Sequence, residues 1–140
     1  MYYNFSMNLE TLYGKTIAIN EGDRVQVDLG KIFKKRYKLF PSYLSTLPNT
    51  LMEFIDAGID LLVAHPEVNE QHLLVAASKK IPVVAIRGRK EFEGDGDGKM
   101  FELFTALGLP IVDKTIYLNS RGYLIETFAA KIVEALANQL

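Results

Sequence analysis

The chain has 140 residues, no cysteine and a formal net charge of −1, with 49% hydrophobic and 24% charged residues. That length supports one soluble domain with a real core. The missing cysteines exclude disulfides, thiolate metal sites and cysteine nucleophiles, and the near-zero charge gives no bulk attraction to nucleic acid or membrane.

No apolar run approaches the roughly 18 residues of a membrane span. Met1 to Met7 holds no basic region followed by an apolar core, so no signal peptide is expected and a cytoplasmic location is. Residues 1–13 are aromatic and without a clear period, which reads as an N-terminal arm packed on its own domain or on a partner. Residues 14–140 read as a single α/β domain.

Lys15 to Asn20 is the first expected strand, broken by Glu21-Gly22, with Asp23 able to cap the helix that follows. Val25, Leu29, Ile32 and Phe33 form one helical stripe, while Lys31, Lys34, Lys35 and Arg36 form a solvated face. Tyr37 to Phe40 reads as a short second strand ended by Pro41, and residues 41–49 as a loop. Thr50 and Glu53 fit a capping box, Leu51, Phe54 and Ile55 give the stripe, and Gly58 gives a left-handed exit.

Leu61 to Ala64 is a continuous apolar run that ends in the polar turn His65-Pro66-Glu67, which marks a buried parallel strand. Asn69 can cap a helix to Lys80, with Leu73, Leu74 and Ala77 toward the sheet. Ile81 to Ile86 is the fourth strand, with Pro82 near its start, where a missing amide donor is tolerable. Arg87 to Gly98 has a basic half and then alternating glycine and aspartate, read as a surface loop. Met100, Leu103, Phe104 and Leu107 form another stripe ended by Gly108. Pro110 to Asp113 begins a fifth strand that could extend to Tyr117. Ser120 can cap the last helix, where Leu124, Ile125, Phe128, Ile132, Val133 and Leu136 give the strongest periodicity.

Strands alternating with helices imply a parallel sheet covered on both faces. Five strands in this length predict a flavodoxin-like three-layer sandwich in the order 2-1-3-4-5. Ligands bind such sheets at the carboxyl edge, at the switch between the first and third strands. Asn20, Glu21 and Asp23 fall there from strand one, His65, Glu67 and Asn69 from strand three, and Arg87 and Arg89 from strand four. These residues could hold an anion, a cation or a polar metabolite.

A histidine metal pair is not expected, because Pro66 keeps His65 out of the helix that carries His72. Gly94 to Gly98 departs from a calcium loop, with Lys99 and Met100 standing where a ligand and a glycine are needed. There is no Walker pattern, no G-x-G-x-x-G after the first strand and no nucleophile elbow. No metal and no cofactor are expected.

Two resemblances follow from these strings. KTIAINEGDR, IDLLVAHPE, IPVVAIRGR and IVDKTI resemble the first, third, fourth and fifth strands of receiver domains, over nearly all the chain after Tyr13. Glu21 and Lys114 match that family's acid and lysine. The phosphoacceptor aspartate is missing at His65 and the hydroxyl residue is missing near Arg87, so the resemblance implies a degenerate receiver-like module. The stretch LPNTLMEFIDAGIDLLVAHPEVNEQHLLVAASKKIPVVAI resembles an uncharacterised archaeal family, domain of unknown function 166, mainly in Leu47-Pro48 and His65-Pro66. That resemblance extends through KMFELFTALGLPIVDKTI, about half the chain in all, and supplies no mechanism. The family's later cysteines are absent here.

The expected function is binding of a small polar ligand or a protein partner at the carboxyl edge, without catalysis. The alternatives are the degenerate receiver-like module and a small-molecule enzyme using His65 with Glu67 or Glu21. Neither nucleic acid nor membrane is an expected partner. A homodimer is expected, because Tyr2, Tyr3, Phe5, Tyr43, Leu44 and Phe92 exceed the apolar supply one small domain needs.

Overall fold

The computed structural model describes residues 9–19, 23–43, 50–64, 70–87, 102–113, 117 and 125–140. Their strands are β1 (Thr16–Ile19), β2 (Phe40–Tyr43), β3 (Leu61–Ala64), β4 (Val83–Arg87) and β5 (Ile111–Asp113). The helices are α1 (Asp23–Tyr37), α2 (Thr50–Ala57), α3 (Glu70–Ser78), α4 (residues 102–106) and α5 (Ile125–Ala137). All strand pairings are parallel, and the five strands run in the order β2-β1-β3-β4-β5. This is a flavodoxin-like α/β fold.

Strand alternation divides the apolar residues between the two faces. Ile17, Ile19, Leu61, Val63, Val84, Ile86 and Val112 meet Leu29 and Phe33 of α1 and Phe128, Ile132, Val133 and Leu136 of α5. Ala18, Leu62, Ala64, Val83 and Ala85 meet Ile55 of α2, Leu73 and Ala76 of α3 and Phe104 of α4. Right-handed crossovers demand this split. The step from β1 to β2 runs one way along the sheet and every later step runs the other way, so α1 falls on the opposite face from α2, α3 and α4.

The described part of the arm belongs to the domain. Leu12 is fully buried in the α1/α5 core, with Leu9 packed against it. Gly14 donates its amide to the Lys38 carbonyl at 2.8 Å, and the Lys38 ammonium sits 5.0 Å over the Tyr13 ring. Tyr2, Tyr3 and Phe5 lie outside the described residues.

Three local expectations change. Residue 37 is still helical, and β2 runs Phe40–Tyr43 with Pro41 inside it. Phe40 gives its N–H to the Lys15 carbonyl at 2.9 Å, so alternation turns the Pro41 nitrogen away from β1. An edge strand tolerates proline at that position. On α3, Leu73 and Ala76 are buried while Leu74 is exposed, because alanine fits close against the small residues Ala64 and Ala85. Tyr117 is helical and not part of β5; its ring stacks on Phe128, centroids 6.0 Å apart.

Two helices end in Schellman turns. Ile81 N–H reaches the Ala76 carbonyl and Lys80 N–H the Ala77 carbonyl; Leu109 and Gly108 do the same with Phe104 and Thr105. Gly108 takes the left-handed position without a Cβ penalty, whereas Lys80 adopts φ 60° there as a non-glycine residue. At the amino edge, Asp60 and Thr16 clamp β3 to β1. The Asp60 carboxylate accepts the Thr16 amide at 2.9 Å and its hydroxyl at 3.1 Å, and the Asp60 amide returns a bond to Thr16 Oγ1 at 3.2 Å.

Candidate functional site

The carboxyl edge is built by three adjacent strands. Ile19 pairs in register with Val63, Ala64 with Ala85, and Arg87 with Asp113. β1, β3 and β4 therefore finish side by side, with about 4.8 Å between neighbours. From Ile19 the chain continues to α1 on one face, and from Ala64 to α3 on the other. Helices α1 and α3, which follow these neighbouring strands, thus lie on opposite faces of the sheet, the arrangement that defines a topological switch point.

Of the residues expected at this edge, Asp23 is the first of α1 and Arg87 the last of β4. Asn20, Glu21, His65, Glu67, Asn69 and Arg89 lie outside the described residues, as do the Gly94–Gly98 loop and Lys114. Among the described residues, no group of three or more metal-ligating side chains could hold an ion, and no helix is long and apolar enough to cross a membrane.

Two concave surfaces lie on the flanks of the sheet. A groove of about 540 Å³ runs between β5 and α5, lined by Pro110, Ile111, Tyr117, Lys131, Glu134 and Gln139 among others. Lys131 and Glu134, one turn apart on α5, pair along its helix wall at 4.0 Å, and Asp113 adds a carboxylate from β5.

The other groove, about 410 Å³, lies between β2 and α1 and is lined by Gly30, Lys31, Lys34, Phe40, Pro41 and Tyr43. Phe40 is 57% exposed and Tyr43 43%. A glycine inside a helix costs about 1 kcal/mol relative to alanine. Gly30 is buried inside α1, and a Cβ there would overlap the Tyr43 hydroxyl, so the glycine leaves a slot for that ring. Sequence reasoning missed this groove. It assigned the lysines to a solvated face and the aromatic residues to a strand end and a loop. The helix-interior glycine was the one available signal.

Arg36 and Glu126 bridge α1 to α5 at 3.3 Å on the surface. Burial pushes the Tyr37 hydroxyl above its ordinary pKa, opposed by the Arg36 charge and reinforced by Glu126, so the phenol stays protonated at neutral pH.

No family model matches the chain, and no curated protein matches it. Among solved structures it is similar to a fusion of the yeast Spc42 trimeric coiled coil, amino acids 181–211, to another protein of solved structure. The two share 20% identity with a TM-score of 0.63, over 91% of this chain and 81% of that one. A coiled coil contains no sheet, so the shared part is the protein fused to it, and at this identity the likeness is one of fold alone.

Proposed function

We propose that the chain is a non-catalytic binding domain that takes a small polar ligand at the carboxyl edge, in the crevice between β1 and β3. The observation that supports this reading is the switch point itself: the adjacent parallel strands β1 and β3 are followed by helices on opposite faces of the sheet. The residues at the ends of β1, β3 and β4 carry both charge signs, Glu21, Asp23 and Glu67 against Arg87 and Arg89, with His65, Asn20 and Asn69 as further polar partners. Such a set suits a metabolite that bears both acidic and donor groups. No nucleophile context accompanies it, so binding is the role assigned.

A thermal-shift screen of the full chain against nucleotides, cofactors and metabolites tests this. A true ligand at about 100 times its dissociation constant stabilises by roughly 2.7 kcal/mol. His65→Ala and Glu21→Ala should each reduce the shift. A ligand whose shift survives both changes binds elsewhere, and a ligand consumed by the protein makes it an enzyme; either result overturns the reading.

A receiver-like module that acts through protein contacts is the second reading. It is favoured by the sheet order β2-β1-β3-β4-β5, which that layout requires. A screen without any shift favours it over the first.

A further inference from the structure

We infer that the groove between β2 and α1 is a docking surface for an acidic segment of a protein partner, anchored by one apolar side chain. This surface lies on the outer flank of the sheet beside β2, reaching the carboxyl edge only at Tyr43 and not entering the switch point between β1 and β3, so it does not depend on what binds there.

Its floor is apolar: the exposed Phe40, the Pro41 ring, and Tyr43 lodged over Gly30. Val27, 44% exposed, continues the apolar strip one turn before Gly30 on the same helix stripe. The rim is cationic. Lys31 and Lys34 both line the groove and are exposed, and its described lining includes no carboxylate. Charge complementarity therefore selects an anionic occupant, and the floor selects one with an apolar side chain.

The form of the occupant follows from three further points. Strand addition is blocked, because Pro41 faces outward without an N–H to donate. A nucleic acid strand needs several phosphate contacts, whereas this groove offers two lysines on a chain of net charge −1. A peptide needs only one or two carboxylates beside its anchor, and a groove of about 410 Å³ accommodates a side chain or two. A second copy meeting this patch across a two-fold axis would set lysines against lysines.

Fluorescence anisotropy with the full chain tests the assignment. The probes are short fluorescein-labelled peptides with Asp and Glu around a central Phe or Leu. Controls are the same peptides with Lys for each acid, and a labelled oligothymidylate. Saturable binding of the acidic peptides is expected, weakened at least about tenfold in Lys31→Glu/Lys34→Glu and in Phe40→Ser. Lys79→Glu/Lys80→Glu, in the turn that follows α3 on the other face of the sheet, should bind as the unchanged chain does. Phe40 is exposed, so Phe40→Ser keeps the fold, and thermal melts verify this for each variant. The proposal is overturned by any one of several results: no saturable acidic binding up to millimolar protein, equal binding of the lysine peptides, tighter binding of oligothymidylate, or a Phe40→Ser variant that binds normally. Sedimentation showing a dimer that Phe40→Ser dissociates would give the surface to a second copy and also overturn it.

Discussion

The carboxamide of Gln139 stands in for a length of strand. Its oxygen accepts the Val83 amide at 3.0 Å, and its nitrogen donates to the Val83 carbonyl at 2.8 Å and to the Ala135 carbonyl at 3.0 Å. Val83 needs this because β5 joins β4 only from Ala85 onward, where the Ala85 amide finds the Pro110 carbonyl. Two residues earlier the chain of the would-be partner is still closing the Schellman turn at Leu109. Without Gln139 both polar groups of a buried backbone unit would lose their partners. An unsatisfied buried group costs about 1–3 kcal/mol. Gln139→Ala should therefore destabilise the protein by about that much in denaturant melts. Gln139→Glu should also destabilise, since a carboxylate can accept from the amide but sets oxygen against the carbonyl. A Gln139→Ala variant within about 0.5 kcal/mol of the unchanged chain would mean that water serves Val83 equally well.

At the scale of elements, β2 is the informative one. It is a four-residue edge strand, and its outward side carries Pro41 where another residue would present an N–H. Edge strands template pairing with other chains unless something blunts them, and proline does so by removing a donor. Pro41→Val should restore that donor on a strand already bearing exposed Phe40 and Tyr43, and sedimentation over a range of concentrations should then show more association than the unchanged chain. Identical profiles would show that the edge is guarded by something other than this ring. The same residue explains where the fold was legible in the sequence. β3 and α5 could be read directly, because an all-apolar run and a long periodic stripe each admit one interpretation. β2 was displaced by three residues because proline reads as a strand terminator unless the strand is known to lie at an edge, which only the assembled sheet reveals. The phase of α3 was ambiguous between Leu73 and Leu74, equal in hydrophobicity, until Ala76 had to face the small residues of the sheet. The strand order and direction, which fix where the carboxyl ends of β1, β3 and β4 fall, were legible from the alternation of strands and helices. The β2/α1 groove was not, because Lys31 and Phe40 meet only once the helix has packed on the strand.

At the scale of the whole molecule, the described residues on the two faces of the sheet differ in what they bury. One face presents isoleucine, leucine and valine to a 15-residue α1 and a 13-residue α5, and α5 alone buries Phe128, Ala129, Ile132, Val133, Leu136 and Ala137. The other face is rich in alanine and is covered by shorter helices. Residues 102–106 fully bury only Phe104, with Leu103 half-buried beside it. Residues 102–106, with Phe104 as their buried side chain, should open at lower cost than the global transition, whereas α5 cannot leave without exposing the centre of the sheet. Phe128→Ala should cost about 3–5 kcal/mol through the cavity it leaves, and by the same amount it should lower the protection of the slowest-exchanging amides, those of β1, β3 and β4. Phe104→Ala should first raise exchange in residues 102–106 and β5 while lowering protection in the three central strands by a smaller amount. Lys35→Ala, on the solvated face of α1, should change neither by more than about 0.5 kcal/mol. If native-state hydrogen exchange showed Phe104→Ala and Phe128→Ala depressing the central strands equally, the two faces would be opening as one unit, and α4 would be as integral to the fold as α5.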